Sequence, residues 1–578
     1  MALNGINLPL AFTAQEAITE KVFKMLNFTQ NDIDAFFTGP AFLAWNRMGN
    51  VQSWAGPLSE NWHKVQVKLQ HQILDRMRSF GMTTVLPAFS GRVVPSFSRL
   101  YPNASITSLG NSWGHFLPPF SNVSFLEPTD PLFQEIGGLF LKEYIKEFGT
   151  DHVYNADLFN EMPPPSNDPN YLKACSKSVY SSLTKIDPDA IWLTQGWMFY
   201  SDPDIWKEPQ AKAFLEGVPI GKMIVLDLQS ELYPQYHRLQ SYYGQPFIWC
   251  MLHNYGGVIG LYGSMESINM GPFDGRTINN STMVGTGITP EGIETNDAVY
   301  ELMNEIAWRK APANLDEWLK QYTTRRYGHF SSNLLEAWKY LKKSVYNATV
   351  PYRNHGKYIL IQRPSLKLKP YVWYDPKDVF AAWRLFVNAS EELVISKQKL
   401  FRHDLVDVTR QSMQLVMDFL YSKYVQAFRQ KNIRKTRKTS QIILKFYNDT
   451  NDLLLSDEGF LLGKWLDAAK SFARTPEERR QYEYNARNQI TLWGPTGQIL
   501  DYANKQWAGL ITAYYQQRWK LFFEVIDDCL VNRKPFKQSD FNKIVLLRVE
   551  MPFGLGDELY PTLSEVAADR YPVTTVSS

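Results

Sequence analysis

The amino-acid sequence predicts an α/β barrel of the (β/α)8 or TIM type over residues 1–311, followed by an all-α domain over residues 312–578. Two observations predict this class. Short apolar runs alternate with amphipathic stretches up to about residue 290, and from Leu315 onward long helical periodicity replaces them. Apolar strands separated by helices are typical of a parallel sheet that is covered on both faces. No GxGxxG fingerprint follows an early strand, which disfavours an open dinucleotide-binding sheet.

Seven apolar runs have the length and composition of buried strands. They are Ile6–Phe12, Thr83–Phe89, Val153–Phe159, Ala190–Gly196, Met223–Leu228, Phe247–His253 and Met283–Gly287. A closed barrel of this type has eight strands, so the sequence accounts for one fewer than closure requires. The first run begins close to Met1, so the chain starts abruptly on a predicted strand.

Helical periodicity marks the segments between strands and nearly all of the second half. Residues 62–80 and 132–148 each place apolar side chains four apart on one face. The predicted helices of the second half are Leu315–Tyr327, Asn333–Tyr346, Asp375–Val387, Asp404–Gln430, Asp457–Arg474 and Gln506–Asn532. Residues 347–369 predict an irregular linker. The basic run 429–438 predicts a solvated helix face or loop, because no aromatic residue interleaves it.

Composition disfavours several classes of function. The 61 basic and 58 acidic residues nearly cancel, so charge implies neither a nucleic acid nor an anionic membrane as partner. No run of about 18 apolar residues predicts a transmembrane helix, and no signal peptide is visible. The cysteines Cys175, Cys250 and Cys529 are far apart and form no CxxC, which predicts neither a zinc site nor a disulfide scaffold. Neither a metal nor a cofactor is expected.

Two glutamates follow predicted strands, where a parallel barrel carries its functional residues. Asn160 and Glu161 follow the strand that ends at Phe159, and a Pro-Pro-Pro block comes next. Glu291 lies in a Pro-Glu-Gly turn after the last strand. Two carboxylates at two strand ends are what glycoside hydrolysis needs, one to protonate the leaving oxygen and one to attack or to activate water.

Each of these two catalytic assignments has an alternative. Glu161 could be a carboxylate that favours the N-terminus of the following helix. Glu294 and Asp297 compete with Glu291 for the second role, although they are more typical of charges in the first turn of a helix.

Aromatic residues gather in the loops at the same predicted end of the barrel. They are Trp45, Trp113, Trp197 and Tyr255. Any one of them alone is more typical of a core, but four on strand-end loops favour a pocket that stacks sugar rings. His115 and His253 are more typical of structural residues, because no HxxxE or HExxH spacing supports a metal.

Several long motifs extend over nearly the whole chain. They include VLPAFSGRVV, GGLFLKEYIKEFGTDHVYNADLFNEM, GQPFIWCMLHNYGG, STMVGTG, PEGI and TLWGPTGQILDYANKQWAGL. Together they resemble glycoside hydrolase family 89, the α-N-acetylglucosaminidases. The resemblance implies a (β/α)8 barrel with a helical C-terminal domain. It also implies release of terminal α-linked N-acetylglucosamine from the non-reducing ends of heparan sulfate, in the lysosome for the full-length family member, with retention of configuration.

The resemblance further implies roles for individual residues. The acid/base falls on Glu161 and the nucleophile on Glu291. Substrate-binding positions fall on Trp45, Met48, Trp113, Asn160, Trp197, Leu228, Leu252 and Tyr255 of the barrel, and on His355, Trp493, Ile499 and Tyr502 of the helical domain. The last four imply that the helical domain closes the pocket. Tyr255 stands where the family can carry Phe, and the first strand of the family supplies an Asn and a Cys that have no counterpart here.

The expected mechanism is a double displacement. Glu161 donates a proton to the glycosidic oxygen while Glu291 attacks the anomeric carbon, and the two carboxyls should lie about 5–5.5 Å apart. Assistance by the 2-acetamido group is disfavoured, because in an α-linked sugar that group is cis to the leaving group.

Two other functions remain open at this stage. The chain could be a truncated form that binds sugar without turnover, or an exo-glycosidase of different specificity. Eight sequons, compatible with a secretory route, predict glycosylation at Asn27, Asn103, Asn122, Asn279, Asn280, Asn347, Asn388 and Asn448. The family often forms homo-oligomers, but no interface is evident in the sequence.

Overall fold

The computed structural model describes residues 1–108, 113–349 and 358–564, and it confirms an α/β barrel followed by a helical domain. The strands are β1 (Val85–Pro87), β2 (Ile106–Ser108), β3 (Ser124–Leu126), β4 (Val153–Asn155), β5 (Ile191–Gln195), β6 (Met223–Asp227), β7 (Phe247–Met251) and β8 (Met283–Ile288). Six of them form one parallel sheet in the order β1-β4-β5-β6-β7-β8, and β2 pairs with β3 as an antiparallel hairpin.

The first predicted strand, Ile6–Phe12, runs parallel to β1 without forming a regular ladder. The N–H groups of Thr83 and Val85 donate to the carbonyl oxygens of Asn7 and Pro9 at 3.0 and 2.9 Å, and Leu10 makes a parallel bridge with Val85. Pro9 has no N–H to return to β1, so one ladder bond is missing. Seven extended segments therefore lie side by side, as predicted.

The sheet does not close within the described residues. Residues 7–11 form one edge and β8 forms the other, and both edges line the same cavity. Every residue of β7 is buried, whereas Val284 of β8 is 61% exposed. The two edges thus border an open slot, which makes one side of the barrel wall incomplete.

The strand predicted for Val153–Phe159 is shorter, because β4 ends at Asn155. Beyond that point a side chain replaces the backbone ladder: the Asp157 carboxylate accepts the N–H of Gln195 at 2.8 Å. The chain then leaves the sheet, and residues 158–162 become a loop at the barrel mouth.

Helices alternate with or flank the strands of the barrel half. They are α1 (Gln15–Met25), α2 (Gln30–Asp34), α3 (Leu43–Arg47), α4 (Glu60–Ser79), α5 (Phe97–Leu100), α6 (Pro131–Phe148), α7 (Pro169–Thr184), α8 (Trp197–Ser201), α9 (Glu208–Leu215), α10 (Met265–Thr277) and α11 (Asp297–Ile306). The periodicity over residues 62–80 and 132–148 corresponds to α4 and α6. The apolar faces of α1, α6 and α7 contribute to the main hydrophobic core.

The second half is almost entirely helical. Its α-helices are α12 (Leu315–Tyr327), α13 (Ser332–Lys343), α14 (Pro376–Ala389), α15 (Leu393–Ser396), α16 (Lys399–Arg429), α17 (Ile433–Leu455), α18 (Leu462–Lys470), α19 (Pro476–Gln489), α20 (Gln516–Val531), α21 (Gln538–Val545) and α22 (Met551–Leu555). Two segments are π-helical: Ile511–Tyr515 leads directly into α20, and Leu546–Glu550 follows α21. The domain boundary predicted at residue 311 falls between α11 and α12 and stays a prediction.

Some helices differ from the sequence-based expectation. The basic run 429–438 spans a turn and the start of α17, as predicted, but α17 itself and the polar α19 were not foreseen as helices. The predicted linker 347–369 has no regular helix where it is described, and residues 350–357 lie outside the described part. Within the part of the chain that the structure describes, no helix is long and apolar enough to cross a membrane.

A buried ion network holds the helical domain together beneath the site. The Arg518 guanidinium is fully buried and donates to Asp501 at 3.1 Å and to Glu550 at 3.2 Å. Asp501 belongs to the loop that reaches the barrel mouth, so this ion pair anchors that loop to α20. Removing one member of a buried ion pair leaves the other charge uncompensated.

We predict that Arg518→Gln lowers the free energy of unfolding of the helical domain by about 3–5 kcal/mol, because Asp501 and Glu550 lose their buried cation. Urea unfolding followed by circular dichroism measures the loss. The exposed Arg480 is the matched control, and Arg480→Gln should change stability by no more than about 0.5 kcal/mol. Equal losses in the two variants would contradict the anchoring role.

Candidate active site

Glu161 lies in the loop after β4, with its carboxylate exposed to the cavity at the barrel mouth. Three N–H donors hold it: Nδ2 of Asn50 at 3.1 Å, Nε1 of Trp113 at 2.6 Å and Nε1 of Trp197 at 3.0 Å. The alternative assignment to a helix N-terminus is wrong, because α7 begins at Pro169 and its N-cap is Asp168. Glu161 is therefore a carboxylate fixed by donors from three separate segments of the barrel half.

Glu291 lies in the loop after β8 and also faces the cavity. Its Oε2 accepts the backbone N–H of Gly256 and the hydroxyl of Tyr502, the latter at 2.8 Å. Its surroundings in the protein raise the pKa of Glu291, chiefly because they desolvate the carboxylate, and the charge of Glu161 adds to the rise. The two donors and the cation of Lys505 oppose the rise.

The competing carboxylates have other partners. Asp297 is the first residue of α11 and pairs with Arg326 at 3.0 Å. Glu294 accepts the backbone N–H of Ile293 at 3.1 Å. Asp297 is thus a first-turn charge, as predicted, whereas Glu294 precedes the N-cap residue Asn296 and lies outside the helix.

A glycine is required where the backbone approaches Glu291. Gly256 has a φ of +64°, and a Cβ atom there would lie 2.6 Å from the carbonyl oxygen of Tyr502. Both the left-handed conformation and this close approach exclude a larger residue. The exposed N–H of Gly256 can therefore reach the carboxylate.

Aromatic rings form the walls beside the two carboxylates. Trp197 and Tyr255 lie edge to face with their centroids 5.8 Å apart, and Trp45 and Tyr502 do the same at 6.3 Å. The Tyr255 hydroxyl donates to Oε1 of Gln229 at 3.0 Å, which fixes its ring. Rigid apolar faces around polar groups suit a sugar ring.

Trp493 inserts between the two domains. It is fully buried and packs edge to face on Trp45 at 4.7 Å and on Phe42 at 4.9 Å. Its backbone is left-handed, with φ at +45°, and the next residue is held by Asn488, which exchanges two 2.9 Å hydrogen bonds with Gly494. Trp493 therefore lies behind the cavity wall and supports it, rather than lining the cavity.

The cavity has a volume of about 1,700 Å³ and extends from the two carboxylates into the open slot of the barrel. Twelve of the fourteen residues predicted for the site line it: Trp45, Met48, Trp113, Asn160, Glu161, Trp197, Leu228, Leu252, Tyr255, Glu291, Ile499 and Tyr502. Trp493 lies behind the wall, and His355 lies outside the described residues.

The structure adds residues that the sequence did not single out. They include Asn50, Gln229, Gly256 and Lys505, which contact the predicted side chains directly or through the backbone. His253 is structural, as predicted: burial lowers its pKa to about 3, and its ring contacts Asn296.

One group of described side chains has the composition of a metal site, formed by His152, Asp187 and Asp189. Nδ1 of His152 contacts Asp187 at 2.8 Å. None of the three lines the cavity. This group is therefore separate from the two glutamates.

Comparisons with known proteins give a consistent result. The family model described as alpha-N-acetylglucosaminidase (NAGLU) tim-barrel domain matches residues 1–310, and the model of the C-terminal domain of the same family matches residues 318–574. The human protein named alpha-N-acetylglucosaminidase is 48% identical over 565 residues, which cover 97% of this chain and 76% of that protein.

Solved structures of a family 89 glycoside hydrolase from Clostridium perfringens superpose with a TM-score of 0.88 at 27% identity. One contains 2-acetamido-1,2-dideoxynojirimycin, and another carries two Glu-to-Gln substitutions and contains its substrate, GlcNAc-α-1,4-galactose. The match covers 98% of this chain and 64% of the bacterial chain, so the chain spans less than two thirds of that relative.

We predict that Tyr502→Phe raises the pKa of Glu291 further, because the ionised carboxylate loses a hydroxyl donor. A ¹³C NMR titration of the Glu291 carboxyl carbon, assigned with Glu291→Gln, measures the change. Tyr484 is the control, since its ring packs on Trp54 in the same interdomain cluster. An unchanged titration in Tyr502→Phe, matching that of Tyr484→Phe, would contradict the predicted role.

Proposed function

We propose that this chain, which by these matches belongs to the α-N-acetylglucosaminidase family, is a retaining exo-glycosidase. It hydrolyses terminal α-linked N-acetyl-D-glucosamine. The observation that supports the proposal most directly is that two glutamates line one aromatic-lined cavity. The name of the human relative and the GlcNAc-α-1,4-galactose bound to the bacterial relative indicate the sugar and its linkage.

Glu161 acts as the acid/base in this proposal. Its carboxylate faces the cavity, where it can donate a proton to the glycosidic oxygen and later take one from water. Asn50 can hydrogen-bond either protonation state, because a carboxamide both donates and accepts, whereas the indole N–H groups of Trp113 and Trp197 only donate.

Glu291 acts as the nucleophile. It must be ionised to attack the anomeric carbon, and the Gly256 N–H and the Tyr502 hydroxyl both stabilise that form. Its pKa is raised, and activity should decline as the pH falls through this raised pKa, because the carboxylate then becomes protonated. Attack by Glu291 followed by attack of water gives two inversions and net retention.

The biological setting is part of the proposal. Terminal α-N-acetylglucosamine of heparan sulfate is the expected substrate class, which the sequence resemblance implies. The asparagines of all eight sequons are exposed, which is compatible with glycosylation on a secretory route to the lysosome.

We predict that Glu291→Ala abolishes turnover of both an aryl α-N-acetylglucosaminide and GlcNAc-α-1,4-galactose, because no nucleophile remains. Glu161→Ala should slow the disaccharide by about 10²–10⁴-fold, and the aryl substrate less, since an acidic phenol leaves with little protonation. Asp297→Asn, which changes a carboxylate paired with Arg326 outside the cavity, is the control and should retain activity. Wild-type turnover by Glu291→Ala would refute the assignment.

A second candidate function is sugar binding without turnover. The observation that favours it is the open slot between residues 7–11 and β8, which leaves the cavity larger than the roughly 300–1,000 Å³ usual for small ligands. In that case the protein would bind 2-acetamido-1,2-dideoxynojirimycin in calorimetry while it leaves an aryl α-N-acetylglucosaminide intact. Measurable hydrolysis by the chain would eliminate this candidate.

A further inference from the structure

Lys505 is a buried cation beside the active site that none of the assigned roles uses. It belongs to the loop of the helical domain that also carries Tyr502, and it is only 6% exposed. Its Nζ donates to the carbonyl oxygens of Gly256 and Gly257, both at 2.6 Å. A lysine of the helical domain thus hydrogen-bonds the carbonyl groups of two consecutive glycines in the barrel loop after β7.

The peptide group directly before these two carbonyl groups donates to the candidate nucleophile. Gly256 and Gly257 are both left-handed, with φ at +64° and +60°. The N–H of Gly256 donates to Oε2 of Glu291, so the direction of this N–H depends on the turn that Lys505 holds. On the other side, a Cβ at Gly257 would lie 3.3 Å from the Cα of Gly292, the residue after the nucleophile.

Two carboxylates, those of Glu294 and Glu291, act on the Lys505 ammonium group, and both favour its protonated form. The ring of Trp507 lies 5.9 Å from Nζ, and the Tyr515 hydroxyl donates to the Lys505 carbonyl at 3.1 Å. The ammonium is therefore buried near two carboxylates and donates to the two glycine carbonyls.

We propose that Lys505 is a positioning residue for the nucleophile. Its hydrogen bonds to the carbonyl groups of Gly256 and Gly257 orient the Gly256 N–H toward Glu291, and this N–H stabilises the ionised carboxylate. The proposal rests on the glycosidase function proposed above. It assigns to the helical domain a direct part in preparing the nucleophile, in addition to closing the cavity.

The titration of Lys505 is compatible with this role. Burial lowers its pKa to about 8, so the ammonium is protonated throughout the acidic range. In that range it can donate to both carbonyls and also counteract the charge of Glu291. Glu161 is the other charged group that acts on Glu291, and its charge has the opposite effect.

The test compares Lys505→Met, which keeps the length of the side chain and removes the charge, with Lys505→Arg. For Lys505→Met we expect kcat to fall by about 10²-fold, since a small misplacement of reacting groups costs this much, and KM to change little. The acidic limb of the kcat profile should move to higher pH, because Glu291 becomes harder to ionise. Lys505→Arg should restore part of kcat and move the limb back.

A buried lysine elsewhere provides the matched control. Lys470 is 4% exposed and contacts Asp467 at 3.3 Å and Glu483 at 3.6 Å. Lys470→Met should reduce the folded fraction without moving the pH limb of the molecules that remain folded. A lower kcat in Lys505→Met with an unmoved limb would assign Lys505 a purely structural role and overturn the proposal, as would a wild-type kcat.

A readout without turnover separates this proposal from the glycosidase function. If the wild-type chain hydrolyses no α-N-acetylglucosaminide, the proposed function fails while the Lys505 proposal is still tested. The ¹³C NMR titration of the Glu291 carboxyl should then show a higher pKa in Lys505→Met than in the wild type. Identical titrations would overturn the role of Lys505.

Discussion

The packing of the helical domain on the barrel mouth is the constraint on which the active site depends. Trp493 fills the space between Phe42 and Trp45, and burial of a side chain of this size is a large hydrophobic contribution. The loop that follows Trp493 then carries Tyr502 to Glu291. The ion pair of Asp501 with Arg518 holds this loop from beneath. Without the second domain, the barrel would present Glu291 without its hydroxyl donor.

The two carboxylates differ in what surrounds them, and this difference supports different roles. Glu161 is held by one carboxamide and two indoles from the barrel half. Glu291 is held by a backbone N–H and a phenol, and a lysine ammonium lies behind the backbone donor. A nucleophile needs a fixed, ionised carboxylate, whereas an acid/base needs a partner that tolerates both protonation states. The donors thus support the proposed roles of Glu161 as acid/base and Glu291 as nucleophile.

Much of the fold could be predicted from the sequence, because the alternation of apolar strands and amphipathic helices is a local property. The strand-end positions of Glu161 and Glu291 could be predicted for the same reason. The exact residues at which strands end could not be predicted from the apolar pattern. β4 ends where the Asp157 carboxylate accepts the N–H of Gln195, and Pro9 removes one hydrogen bond from the first strand.

The contributions of the helical domain could not be derived from periodicity. Trp493, Tyr502 and Lys505 lie more than 200 residues from Glu291 in the chain, and only tertiary packing brings them near. The resemblance to a family pointed to Trp493 and Tyr502, but it did not distinguish a residue behind the wall from one in it. No sequence motif pointed to Lys505, since a single lysine near a glycine-rich loop has no distinctive spacing.

The anomeric configuration of the first sugar released tests most directly whether Glu161 and Glu291 act as acid/base and nucleophile. It is measured by ¹H NMR in D₂O during the first minutes of hydrolysis of an aryl α-N-acetylglucosaminide, before mutarotation. We predict that α-N-acetylglucosamine appears first and the β-anomer only later, because attack by Glu291 and then by water gives retention. Initial release of the β-anomer would show a single displacement by water and would contradict the nucleophilic role of Glu291.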